Sequence, residues 1–164
     1  MKQLILVRHA NSPIHFVKFK DFDRPLDSLG ESDAKLMAKN IIDKGIMIDN
    51  IISSGAKRAL STSKLIAENI NFKVSSIQID NVIYRSSENQ IIDIIKNISD
   101  KYKITMMIGH NPTFHYLSQK LSNEKIAIFP PCSMCCITFN INSWIDIYKG
   151  KKQFMIHPNY LKIN

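Results

Sequence analysis

The sequence predicts an α/β protein, a three-layer αβα sandwich around a mostly parallel central sheet. Three observations carry this. Short apolar runs bounded by turn residues alternate with segments of helical periodicity along the whole chain. No internal repeat, low-complexity tract or linker interrupts the alternation. The 164 residues, 45% of them hydrophobic, suit one domain with a core of its own, spanning 1–164.

The elements follow in order. Gln3 to Val7 reads as a buried strand, followed by a polar loop with scattered aromatics from Ala10 to about Asp27. Gly30 precedes a helix to about Lys44 with Ala34, Met37, Ala38, Ile41 and Ile42 on one face, and Gly45 stops it. Asn50 to Ser53 is a short strand. Ala56 to Asn69 is a helix with Ala59, Ser63, Ile66 and Ala67 in register, and Val74 to Ile79 alternates as a strand. Ser87 caps a helix carrying Ile91, Ile94, Ile95 and Ile98. Ile104 to Ile108 is a second buried strand, ended by Gly109. Pro112 then starts a helix whose inner face is Phe114, Leu117 and Leu121. After the Pro130-Pro131 turn, Cys135 to Phe139 and Trp144 to Tyr148 read as strands of a hairpin. The tail from Phe154 to Leu161, with Pro158, closes an edge.

Composition narrows the function classes. No apolar run approaches the roughly 18–20 residues of a membrane span, and Leu4 to Val7 is too short for a signal-peptide core. The cysteines, Cys132, Cys135 and Cys136, are odd in number and crowd into one segment. That disfavours a disulfide framework and favours a reducing, cytoplasmic setting. A metal site would need further ligands, with His157 the one soft ligand near in sequence. The alternative is that these residues are small, weakly polar entrants to a buried strand. The formal charge of +8 favours anionic partners. The lysines are scattered and no nucleic-acid-binding signature stands out, so a phosphorylated substrate is the better use of that field. Neither nucleic acid nor membrane is expected as a partner, and the chain is expected to be a monomer.

In open parallel sheets ligands bind beyond the carboxyl ends of the strands. There the sequence delivers Arg8-His9, the run Ser54-Gly55-Ala56-Lys57-Arg58, and Gly109-His110-Asn111-Pro112. Singly, Arg8, His9 and His110 have ordinary structural readings. Together, two arginines offer planar donors to phosphate oxygens, a neutral imidazole can accept a phosphoryl group, and a second imidazole can donate to the same oxygens. Such a pocket needs no cofactor and no metal. His15, in the loop, is a lesser candidate for substrate contact. His115 and His157 read as structural.

At these residues the chain resembles the histidine phosphatase superfamily, the phosphoglycerate-mutase-like fold, and within it the short SixA-type phosphohistidine phosphatases. The resemblance rests on Leu-Val-Arg8-His9-Ala, Asp23-Arg24-Pro25-Leu26 with Gly30, Ser54-Gly-Ala-Lys-Arg58-Ala-Leu-Ser-Thr62, Gly109-His110-Asn111-Pro112, Ser143-Trp144 and Pro158. It implies that His9 is the phosphoryl acceptor and that Arg8, Arg58 and His110 form the phosphate pocket. The Cys132-Ser133 stretch falls where members often place small hydroxyl residues along the pocket, which makes Ser133 a candidate for substrate contact and, with cysteine at 132, leaves that role open. Ala10 stands where many members have glycine, and Ser54-Gly55 where Ser-Pro is usual. Many members carry an acid after the third strand to protonate an alkoxide. Glu88 and Asp23 are the candidates here, although an acidic residue in a first helical turn, like Glu88, is favoured on dipole grounds alone. The expected activity is metal-independent removal of phosphate from phosphohistidine in a protein, such as a signalling phosphotransfer domain. The alternatives are a general phosphomonoesterase and a non-catalytic phosphate-binding module.

Overall fold

The computed structural model describes residues 1–15 and 18–163. Phe16 and Val17, in the predicted loop, lie outside them. Six strands form one sheet in the order β3-β2-β4-β1-β5-β6: β1 Lys2–Arg8, β2 Asn50–Ser53, β3 Gln78–Ile79, β4 Ile104–Gly109, β5 Met134–Phe139 and β6 Lys151–Ile156. Only β5 runs against the rest, antiparallel to both β1 and β6. Five helices accompany them: α1 Ser28–Asp43, α2 Lys57–Asn69, α3 Glu88–Lys96, α4 Thr113–Ser122 and α5 Pro158–Ile163.

The predicted sandwich is present, because strand alternation sends side chains to two separate cores. Ile5, Val7, Ile51, Met106 and Ile108 pack against α1 and α2 through Met37, Ile41, Ala59 and Ile66. Leu4, Leu6, Ile52 and Met107 face the other way, onto Ile91 and Ile95 of α3 and Phe114 and Leu117 of α4. Cys135 and Cys136, neighbours in β5, fall into opposite cores as buried free thiols, which matches their reading as strand residues. Burial pushes both thiols up, to about 11 and about 12. Among the described residues, no helix is long and apolar enough to cross a membrane.

Local chemistry fixes the element ends. α1 begins at Ser28, two residues before Gly30, because the Asp27 carboxylate accepts from the Gly30 backbone N–H at 2.8 Å. Gly30 is needed there for another reason: a Cβ would sit 2.3 Å from the backbone oxygen of Asn11. The loop after β1 can therefore lie directly on the first turn of α1. Ser87 caps α3 in a reciprocal capping box with Gln90.

Two predicted strands differ. Val74 to Ile79 contributes only the two residues of β3, since residues 74–76 close a 3-10 turn. Trp144 to Tyr148 is not a strand. Its first residues, Trp144–Asp146, form a 3-10 turn, and the partner of β5 is Lys151–Ile156. The reason lies in polar anchoring. The Trp144 N–H and the Ser143 hydroxyl both donate to the Asp100 carboxylate, and the Trp144 indole donates to the Tyr102 carbonyl at 2.9 Å. These bonds sink the fully buried indole into the α3–α4 core. The tail divides into the end of edge strand β6 and the short helix α5, which Pro158 begins.

Candidate active site

Register brings the three predicted strand ends together. Arg8 pairs with Gly109 across β1–β4, and Ser53 with Ile108 across β2–β4. His9, Ser54 and His110, each the next residue along its strand, therefore emerge side by side. The His9 N–H donates to the Gly109 carbonyl at 3.0 Å, and the His9 and His110 rings lie 5.3 Å apart. Gly109 has no room for a side chain, since a Cβ would meet the Phe114 ring at 2.4 Å. That close packing seats α4 directly behind His110.

Arg58 occupies the first turn of α2, the positive end of a helix dipole, where a cation is disfavoured and an anion welcome. It is held by Asp21 instead: Nη1 donates to the Asp21 carbonyl at 2.6 Å and Nη2 to its carboxylate at 3.2 Å. Its Nε–H points at His9 Nε2, 3.2 Å away. Thr62, one turn further along α2, accepts from the Ala10 N–H at 2.9 Å and so ties the His9 loop to the same helix.

The tautomer of His9 follows from its contacts. Nδ1 lies 2.8 Å from the Ala10 carbonyl, which can only accept, so Nδ1 carries the hydrogen and Nε2 a lone pair. Burial is the main reason its pKa falls to about 3. The Ala10 hydrogen bond opposes the shift, while the nearby His110 and the Arg58 and Arg8 charges add to it. His110, 9% exposed, is likewise lowered to about 3 by burial and then by Arg58. Its Nε2 is 2.8 Å from the Ser54 hydroxyl. Among the described residues its Nδ1 has no partner, nor has the buried Nε of Arg8, whose Nη1 donates to the Phe129 carbonyl. Buried polar atoms of this kind are normally hydrogen-bonded, so both are open to a polar ligand.

A pH experiment tests this electrostatic reading. Both imidazoles are expected to stay neutral from pH 8 down to about pH 5, where an ordinary histidine is already protonated. Nitrogen-15 chemical shifts of His9 and His110 would show it, and normal titration near 6.5 would refute it. The sign for stability follows. The unfolded chain takes up protons near 6.5, the folded one only lower, so stability is lost as pH falls from about 6.5 toward 3.

A cleft of about 370 Å³ opens beside these groups, lined by Asp21, Arg58, Tyr84, Arg85, His110 and Asn111 among others. Asp21 and Tyr84 were not singled out from sequence as site residues. The Tyr84 hydroxyl donates to the Asp21 carboxylate at 2.6 Å, Arg24 pairs with its other oxygen, and the Tyr84 ring stands edge-on to His110 at 5.5 Å. With the Tyr84 hydroxyl first and the arginines behind it, Asp21 is held well below the usual carboxylate range.

The other expected residues lie apart. Glu88, in the first turn of α3, and exposed Asp23 do not line the cleft; Asp21 is the carboxylate that does. Ser133 is fully buried and donates to the Pro130 carbonyl at 2.6 Å, bracing the turn before β5 rather than facing the cleft. His15 is exposed and away from the cleft lining. His115 bonds the Ile126 carbonyl, in keeping with a structural role. Among the described residues no three His, Cys, Asp or Glu side chains converge as a metal site.

Comparison with known proteins agrees with this geometry. The sequence profile of the histidine phosphatase superfamily (branch 1) matches residues 4–82, which carry Arg8, His9 and Arg58. The match and the fold together support membership of the histidine phosphatase superfamily. The chain is 28% identical over 155 residues to an uncharacterized chloroplastic protein of Arabidopsis thaliana, covering 90% of this chain and 71% of the relative. Its fold superposes on the protein histidine phosphatase SixA complexed with tungstate, with a TM-score of 0.83 and 20% identity, over 97% of this chain and 99% of that one. A mycobacterial glucosyl-3-phosphoglycerate phosphatase in complex with VO3 gives a TM-score of 0.68 and 12% identity, over 94% and 98% of the two chains. The phosphoglycerate-mutase-like fold is thus shared, and the profile match with this fold supports phosphatase activity.

Proposed function

We propose that this protein removes the phosphoryl group from a phosphohistidine side chain of a protein, such as a phosphotransfer domain in signalling. His9 would be the acceptor. One observation carries the substrate class. The carboxylate lining the cleft, Asp21, is held ionised by Tyr84, Arg24 and Arg58. It has no proton to give an alkoxide. An imidazole leaving group does not require one at the bond that breaks, since its other, solvent-facing nitrogen can take up a proton from water before it departs.

In the first step the His9 Nε2 lone pair attacks phosphorus. The phosphorus–nitrogen bond to the substrate imidazole, protonated by solvent on its other nitrogen, breaks; the electron pair returns to the departing nitrogen and neutral histidine is released. Arg8, Arg58 and His110 hold the phosphoryl oxygens and stabilise their charge. In the second step water attacks the phosphorus on His9, and inorganic phosphate leaves with the neutral imidazole restored. Tungstate and VO3, each bound by a fold relative, are oxyanions of the kind such a pocket takes.

A substrate panel tests the reading. A phosphohistidine peptide is expected to exceed sugar phosphates in kcat/KM by about a hundredfold or more, the lower end of one missing proton-transfer contribution. A preference for sugar phosphates would instead favour a general phosphomonoesterase.

A further inference from the structure

Arg85 stands apart from the other arginines of the site. Arg24 and Arg58 are paired with Asp21, and Arg8 is bonded to the Phe129 carbonyl. Among the described residues, Arg85 has no carboxylate partner. Its guanidinium lies 5.1 Å from the centre of the Tyr84 ring, which Arg58 also approaches, at 5.9 Å, and which meets the His110 ring at 78°. Arg85 is exposed and lines the cleft one aromatic ring away from the phosphoryl pocket.

Its backbone is also unusual. Among the described residues, four that are not glycine adopt a left-handed conformation: Asn71, Arg85, Asn123 and Cys132. Asparagine tolerates this region; arginine does so at a cost. The φ of 59° at Arg85 has a visible result. Ile83, Tyr84, Arg85 and Ser86, four consecutive residues, all line one cleft. An extended strand would turn alternate side chains away. A strained non-glycine residue at a site mouth is a recurrent mark of function.

We propose that Arg85 is a specificity-determining residue that reads a carboxylate beside the phosphohistidine of the substrate protein. This rests on the reading of the substrate given above. The planar fork of a guanidinium, pre-oriented on Tyr84, matches a carboxylate in two parallel hydrogen bonds. The chain's +8 charge suits an acidic partner face.

The test compares phosphohistidine peptides flanked by Glu, Gln or Lys, with the protein as it stands and with Arg85→Gly and Arg85→Glu. Glycine accepts the left-handed backbone, so the first variant relieves strain and keeps the fold. The unaltered protein is expected to favour the Glu-flanked over the Gln-flanked peptide by about three- to tenfold in kcat/KM, the range of a partly exposed charge-assisted pair. Arg85→Gly is expected to erase that preference and Arg85→Glu to shift it to the Lys-flanked peptide. No preference in the unaltered protein, a preference that survives Arg85→Gly, or an equal loss on all three peptides would overturn the proposal, the last by showing a merely structural role. Sugar phosphates turned over with none of the peptides touched would instead overturn the phosphohistidine reading, and the role of Arg85 with it.

Discussion

Replacing His9 by alanine is expected to lower turnover by about four orders of magnitude or more, as removal of a covalent nucleophile does. Among the described residues, His9 Nε2 is the imidazole nitrogen set against the Arg58 guanidinium, the other ring nitrogen being committed to the Ala10 carbonyl. His110, 5.3 Å away, uses Nε2 on Ser54. The same variant is expected to lose the phosphoenzyme. Rapid quenching with labelled substrate should give a label on the unaltered protein that survives base and is lost in acid, and none on His9→Ala. An acid-stable label, or turnover that persists without His9, would refute the mechanism.

The next largest loss is expected at Arg58. Arg58→Ala removes the guanidinium that touches His9 Nε2 and sits at the N-terminus of α2. The expected fall in kcat/KM is about 10²–10³, the usual size for a charge-stabilising donor aimed at a transition state. Arg58→Lys is expected to recover little of it. An ammonium cannot fork onto the Asp21 carbonyl and carboxylate while also directing an N–H at His9. Steady-state kinetics of the two variants checks this; full activity in the lysine variant would mean that charge alone matters.

The sequence carried most of this site because its parts sit at strand ends, and strand ends are readable. Short apolar runs stop at Arg8, Ser53 and Gly109, and the residues beyond them share one side of any parallel sheet. What it did not show is who holds these residues in place. Asp21 lies two residues from Asp23, the residue singled out by motif. Nothing local tells which of the two meets Arg58, since that depends on how the loop after β1 folds over α2. Tyr84 stands in no motif that marks it, although its phenol holds Asp21 and its ring meets that of His110. The false strand at Trp144 has the same origin. Its alternation looked like a sheet, but Asp100, far off in sequence, fixes that turn by hydrogen bonds.

The central place of β1 bears on when the chain becomes competent. His9 is made almost first, yet β1 is bordered by β4 and β5, whose residues are 104–109 and 134–139. During synthesis the Leu4–Val7 segment therefore has neither neighbour until most of the chain has left the ribosome. Both its edges stay open for that time, a template for pairing with other chains. Arg8 likewise waits for its anchor at Phe129, made after β4 and just before β5. A nascent or truncated chain ending near residue 82 would carry His9, Arg8 and Arg58 but would lack the frame that aims them. The proposed activity would thus report that the carboxyl-terminal half has folded.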